Sequence, residues 1–429
     1  MNRINKVMDY FRPACLFIIL TFSGSEICGQ LLPSATPEKV GMSSERLNRI
    51  GSVMSEYISE GKMPGMVTMV LRHGKVAYYE AFGMMDIESG RKMSTDAIFR
   101  IASMSKAITS VAVMMLYEEG YFLLSDPVSK YIPEFKNPKV IIKSSISDSL
   151  LLILAKSEIT IRELLNHTSG ISYGEGLQAK FYSQNGMTVG LTPTDGTIGE
   201  MIRKLAKLPL ISQPGEEFHY GMSVDVLGYL IEVVSKMPLD EFLRKNIFEP
   251  LKMQDTYFSL PQNKFSRLAT LYKTGSDGKL TKATGYFPYP KEQKYFSGGA
   301  GLVSTAADYS RFAQMLLNKG VLDDQRILSP QTIELMTTNS IGDIHVSDGF
   351  RHNGLGDKFG YCFGIRTERG VFDELETLGI YGWDGAFYTR FWVDPKEDLI
   401  GIFMSQMDNN WNEKMINKFR VLVYQSIIE

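Results

Sequence analysis

The chain has 429 residues, 44% of them apolar and 22% charged, with a formal net charge of −2. That size and composition suit a soluble globular protein of one large domain or two to three ordinary ones. The balanced charge, with no basic run, argues against nucleic acid as a partner.

At the N-terminus, Arg3, Lys6 and Arg12 precede the nine-residue apolar run ACLFIILTF, and the small polar stretch SGSEICGQ follows. That order reads as a secretory signal over residues 1–29, cut after Gly29 or, earlier, after Ser25, which expects a periplasmic or secreted protein. The apolar run is too short to span a bilayer, so no stable membrane span remains after its removal. The other reading is a tethering N-terminal helix. Cys28 would suggest a lipid anchor, but Glu26 stands where such a site wants a small or apolar residue. The mature chain keeps only Cys362, so no intramolecular disulfide can form.

Further along, Ser43 to Gly61 has apolar residues at helical spacing between a serine and a glycine. GMVTMVLRHGKVAYYEAFG predicts two strands around a turn at His73-Gly74. A long apolar-periodic segment opens at Ser103 and ends at Gly120; a turn-rich stretch with Pro127 and Pro133 follows. Ile141 to Lys156 is an unusual Ser/Leu/Ile-rich insertion, and TIRELLNHTSGI is a short helix. Helical patterns continue at Glu200–Leu205, Val224–Val234 and Leu239–Phe248, and a glycine-rich bend from Tyr295 leads into another. Strands return in FGYCFGIRT and in AFYTRFWVDPKEDLIGIFMSQ, a hairpin turning at Pro395 to Asp398. Trp411 to Ile428 closes the chain as an amphipathic helix.

Strands, a helical middle and strands again predict an α/β protein of the α+β kind. A mostly antiparallel sheet is built from both chain ends and flanked by the terminal helices, with a helical domain inserted. The catalytic domain is expected over 37–429, its sheet part at 37–100 and 300–429 and its helical part at 101–299. Ser103 falls at the junction, where ligand clefts tend to lie.

Ser103-Met104-Ser105-Lys106 places a hydroxyl and an amine one helical turn apart. Serine is a weak nucleophile that needs a neighbour to manage its proton, and a lysine in a cleft can take part in that. The bland alternative is a helix-capping serine beside a solvated lysine. SxxK also occurs at Ser89 and Ser276, but both copies contain glycine at turn-like positions, so only Ser103 opens a helix. Two more stretches could complete a site: GEEFHYGMSVDVLGYLIEVVS, where Tyr220 precedes a helix, and GIYGWDGAFYTRFWVDP, with Trp383-Asp384-Gly385.

In that order these motifs, with IFRIASMSK, LLNHTSG and GGAGLVSTAADYSRF, resemble the serine β-lactamase and penicillin-binding protein superfamily. The resemblance runs from about Pro37 to the C-terminus and is strongest to the class C-like branch with its β-lactamase-like esterases. It implies a serine hydrolase working through an acyl-enzyme on a small acyl substrate, with no cofactor. Ser103 would be the nucleophile, Lys106 its partner, Tyr220 a proton shuttle and Gly385 the glycine of the third motif. The N–H of Ala386 would bind the oxyanion together with that of Ser103. Two departures stand out. Met222 replaces the asparagine of the second motif and Trp383 the lysine of the third, which argues against antibiotic hydrolysis and for uncharged acyl esters. The other readings are a D-amino-acid or cell-wall peptide hydrolase, a weak β-lactamase, or a binding or regulatory protein on a retired hydrolase fold.

Several decoys compete. Lys273-Thr274-Gly275 is a literal KTG, but Ser-Asp-Gly after it predicts a turn and no onward strand. Ser147-Asp148-Ser149 imitates SDN within the insertion. His167 lacks the partners of a triad and reads as structural, Asp384 as solvated, and Trp383 alone as rim packing. Asn166-His167-Thr168 is a glycosylation triplet, and no His/Cys spacing supports a metal.

Overall fold

The computed structural model describes residues 30–143, 149–192, 194–286, 293–346, 356–368, 375, 377–408 and 414–429. At its centre lies an eight-stranded antiparallel sheet. Early strands are β1 (Gly65–Arg72), β2 (Lys75–Asp86) and β3 (Arg91–Lys92). Late ones are β4 (Lys358–Phe359), β5 (Gly364–Ile365), β6 (Tyr381–Gly385), β7 (Thr389–Asp394) and β8 (Leu399–Ser405). The spatial order is β4-β5-β6-β7-β8-β1-β2-β3, so the chain ends meet where β8 pairs with β1.

The His73-Gly74 turn has φ of 51° and 69°, the doubly positive geometry that matches the twist of a tight hairpin. β1 divides its side chains by the two-residue period of a strand. Val67, Met69 and Leu71 enter one apolar core, and Met66 and Val70 the other. Helix α1 (Arg49–Ser59) and the C-terminal α6 (Met415–Tyr424) cover the second core with Ile50, Met54, Ile416 and Phe419. On the first face lie α2 (Ser105–Glu118), α3 (Ile161–Leu165), α4 (Ser223–Ser235) and α5 (Ala306–Leu317). Helix α2 is buried almost all round, as a helix enclosed by neighbours must be.

Some boundaries differ from the sequence reading. The Ser43–Gly61 helix divides at Asn48, and Ser43 caps its first segment by accepting from the Arg46 N–H. The closing helix is shorter than 411–428, and residues 411–413 lie outside the described residues, as do 1–29 with the signal. FGYCFGIRT is not one strand, because the chain reverses between β4 and β5 with Cys362 at φ 67°. The 101–299 stretch also holds strands: Lys139–Lys143 pairs with Leu150–Leu154, and Tyr272–Thr274 with Leu280–Lys282. The turn expected after Lys273-Thr274-Gly275 is present, with Gly275 N–H donating to Lys279 O, but an onward strand follows it at Leu280–Lys282, contrary to expectation; Lys273 and Thr274 lie exposed on the strand before the turn. Of the SDN mimic, Ser147 and Asp148 lie outside the described residues.

Candidate active site

Ser103 stands where a short strand gives way to a helix. Phe99–Arg100 pairs with Val303–Ser304, the chain bends through Ala102 at φ +41°, and Ala102–Met104 forms one 3-10 turn before α2. Ser103 thus precedes the α-helix instead of opening it. Positions three apart still share one side of such a turn, so Lys106 remains its neighbour. A non-glycine residue at positive φ costs on the order of 1–3 kcal/mol and persists only where its surroundings hold it. Here Ile101 N–H donates to Leu302 O at 3.1 Å, Gln406 Nε2 to Arg100 O at 3.1 Å and Tyr309 OH to Met104 O at 3.0 Å.

Lys106 is fully buried, and its Nζ donates to three oxygens: Ser103 Oγ at 3.1 Å, Tyr173 OH at 2.9 Å and Gly299 O at 2.8 Å. An ammonium has three N–H donors, so every one is used. Burial works against the charge. The phenol groups of Tyr173 and Tyr220 work for it, and the net shift of the Lys106 pKa is upward. The resting side chain is a cation held against the nucleophile. Its Nζ also lies 4.6 Å from the centroid of the Tyr220 ring.

Tyr220 arrives from the loop before α4, and its oxygen accepts from Trp383 Nε1 at 2.9 Å. Trp383 is buried to 2% exposure on β6, so it lies beneath Tyr220 and is no rim residue. Its indole N–H offers Tyr220 a neutral donor. His167, buried at φ 61°, stacks 4.7 Å from Tyr220 and accepts from the Gly221 N–H at 3.4 Å. Burial, with the Lys106 charge added, holds its pKa well below the usual histidine value, so it packs as a neutral ring. Cys362 is a buried free thiol whose pKa burial pushes up to about 12, which makes it inert.

Gly385 and Thr389 flank the 386–388 turn that joins β6 to β7; Trp383-Asp384-Gly385 is thus the end of a strand, and the next begins only at Thr389. A Cβ at Gly385 would lie 2.3 Å from Ile101 O and 2.2 Å from Thr389 Oγ1. The glycine is needed here because β6 packs onto the turn that carries Ser103. Ala386, half-buried, follows directly. Asp384 is not solvated. It is 4% exposed and takes a two-point ion pair from Arg390, with Nη2 2.5 Å from Oδ2. Met222 is completely buried in the core, and Asn166, 3% exposed, donates to Ser340 O, so the glycosylation triplet is not on the surface.

Ser103, Lys106, Tyr220 and Trp383 form one cluster, with Gly385 packed beside it. Sequence reasoning missed Tyr173. It lies in ISYGEG after α3, in a loop with no motif, and burial pushes its phenol pKa up against the pull of Lys106, so it is a neutral hydroxyl. Ser103, Tyr173, Tyr220 and Ala386 are partly exposed while Lys106 is closed off, so hydroxyl-bearing side chains cover a buried charge. Among the described residues no group of acidic, histidine or cysteine side chains could hold a metal.

The sequence matches the Beta-lactamase family across residues 50–425. It is similar to Protein Rv1367c of Mycobacterium tuberculosis, 33% identical over 369 residues, covering 82% of this chain and 88% of that one. It is also similar to esterase EstB of Burkholderia gladioli, 29% identical over 398 residues, covering 88% and 94% of the two chains. Among solved structures it resembles EstCE1, a hydrolase with promiscuous acyltransferase activity, with a TM-score of 0.75 and 25% identity over 90% of this chain and 99% of that one.

Proposed function

Because this chain belongs to the Beta-lactamase family, we propose that it is an exported serine hydrolase of small uncharged acyl esters, working through a covalent acyl-enzyme. The observation that carries the reading is the buried Lys106 ammonium, 3.1 Å from Ser103 Oγ and in contact with two tyrosines. Ser103 Oγ attacks the ester carbonyl, and its proton passes to the Tyr220 oxygen, which acts as the base in its phenolate form. The Lys106 charge and the Trp383 N–H meet the negative charge on that oxygen, and the two side chains exchange protons as a unit. Tyr220 then returns the proton to the leaving alkoxide. Water repeats the sequence on the acyl-Ser103 ester, and the acid departs. The N–H groups of Ser103 and Ala386 are proposed to hold the oxyanion.

Ester preference is supported by chemistry at two positions. Trp383 presents no cation for a substrate carboxylate, and Met222 no amide for a substrate side chain. EstB, by its name an esterase, supports the same class. The leader-like residues 1–29 support export. The test is intact-mass measurement after a serine-directed phosphonate and after a panel of esters, D-peptides and β-lactams. One phosphonate adduct, lost in Ser103→Ala, and fastest turnover of short esters are expected. A labelled Ser103→Ala protein refutes the nucleophile. Penicillin turnover equal to that of the best ester refutes the substrate class.

A further inference from the structure

Asp225 is a second buried charge near Lys106 that the proposed reaction does not use. It sits in the first turn of α4, five residues after Tyr220, and is completely buried. Its Oδ1 accepts from Ser297 Oγ at 2.5 Å and from Tyr295 OH at 3.5 Å; burial raises its pKa, while these donors, the Lys106 charge and the Gly299 N–H pull it back. Its Oδ2 has no hydrogen-bond partner. A buried carboxylate oxygen without a donor is costly unless a positive charge faces it.

The glycine-rich 297–301 turn lies between the two charges. Gly299 O accepts from Lys106 Nζ, while its N–H favours the ionised form of Asp225. A Cβ at 299 would stand 2.7 Å from Asp225 Oδ2 and 3.5 Å from Lys106 Nζ, so the ions face each other across the width of one missing methyl group. The turn is pinned on its other side, where Thr109 Oγ1 of α2 donates to Gly298 O at 2.7 Å. A Cβ at Gly298 would meet Val224 O of α4 at 2.8 Å, which keeps the turn close against that helix.

We infer that Asp225 is a positioning residue for Lys106: its carboxylate supplies the counter-charge to the ammonium and, through the 297–299 turn, fixes the carbonyl that aims the ammonium at Ser103. The inference rests on the proposed role of Ser103 and Lys106. The titratable groups facing Lys106 are Tyr173 and His167 from the loop after α3, Tyr220, Asp225 itself, and Cys362. Those facing Asp225, besides Lys106, are Tyr295 and Tyr173. Among these, Asp225 is the one carboxylate. Removing its charge therefore makes the lysine easier to deprotonate.

The experiment compares wild type, Asp225→Asn and Ser297→Ala. It follows kcat and KM for p-nitrophenyl acetate and the phosphonate labelling rate of Ser103 against pH, with melting curves to confirm folding. The Asp225→Asn side chain keeps the shape and an acceptor oxygen and lacks only the charge. The expected result is a kcat at least tenfold lower with KM within twofold, and a Ser103 labelling rate lowered in step across the pH range. Ser297→Ala keeps the charge but loosens the turn. It should lower kcat a few-fold with KM unchanged. A folded Asp225→Asn protein with wild-type kcat and labelling rate overturns the inference, whatever its stability. Should Asp225→Asn not fold, Ser297→Ala decides, and a wild-type kcat there overturns it. Failure of the underlying site looks different, because Ser103→Ala would still label or wild type would not.

Discussion

Replacing Trp383 by phenylalanine removes one hydrogen bond at the proposed centre and leaves most of the ring packing. The indole Nε1 donates to Tyr220 OH at 2.9 Å, and the two rings lie 5.4 Å apart. In the resting enzyme that bond joins two neutral groups, a contact of about 1 kcal/mol net. When the Tyr220 oxygen bears the Ser103 proton's charge, the same donor faces an anion, and such bonds contribute about 1.5–3 kcal/mol. The part realised only in the transition state is therefore about 0.5–2 kcal/mol, and it lowers kcat about two- to thirtyfold. The smaller ring adds a stability loss of about 1–2 kcal/mol, because Trp383 is almost wholly buried against Phe359 and Tyr220. Stopped-flow hydrolysis of p-nitrophenyl acetate separates the two effects, with urea titration giving the folded fraction. KM should stay near wild type, since the indole is buried and not offered to substrate. An unchanged kcat in the folded variant would show that Trp383 only fills space. A large rise in KM at constant kcat would place it in substrate binding instead.

Gly385→Ala puts a methyl 2.3 Å from Ile101 O, so β6 must part from the nucleophile's turn. A fall in kcat of tenfold or more with a lower melting temperature is expected, whereas Lys273→Ala, at an exposed strand position, should stay within twofold of wild type. The reverse pattern would make Lys273-Thr274-Gly275 the third motif. Asp308 gives a pH-linked stability test. Burial raises its pKa to about 7, although Asp255 N–H and Thr256 Oγ1 donate to its Oδ2. The folded pKa lies above the unfolded value of about 3.9, so this contribution is complete below about pH 4 and is lost as pH climbs to 7. Asp308→Asn should therefore gain stability relative to wild type between pH 4 and pH 8, by up to about 4 kcal/mol. Equal differences in urea midpoint at the two pH values would refute the assignment. Sequencing the mature N-terminus of the exported, C-terminally tagged protein should find Gln30, or Glu26 for the earlier cut; an intact Met1 would support an anchor.

What this sequence determines by itself is what neighbouring residues decide. The β1–β2 hairpin is legible because His73-Gly74 suits a tight turn and the flanking strands are rich in apolar and aromatic side chains. Ser103 and Lys106 are legible for the same reason, since one helical turn relates them whatever the rest of the chain does. Their order with Tyr220 and Trp383-Asp384-Gly385 then carried the family resemblance. The contacts of the distant partners were set only by folding. Trp383 reaches Tyr220 across 163 positions, a contact that depends on β6 and the loop before α4 meeting. Tyr173 sits in a loop with no local pattern and joins Lys106 from 67 positions away. Asp384 reads as a solvated acid after a tryptophan until β6 pairs with β7 and brings Arg390 opposite it in a buried sheet. Periodicity reports which face of an element is apolar. It does not say which two faces will touch, because that choice belongs to the packing of the whole core.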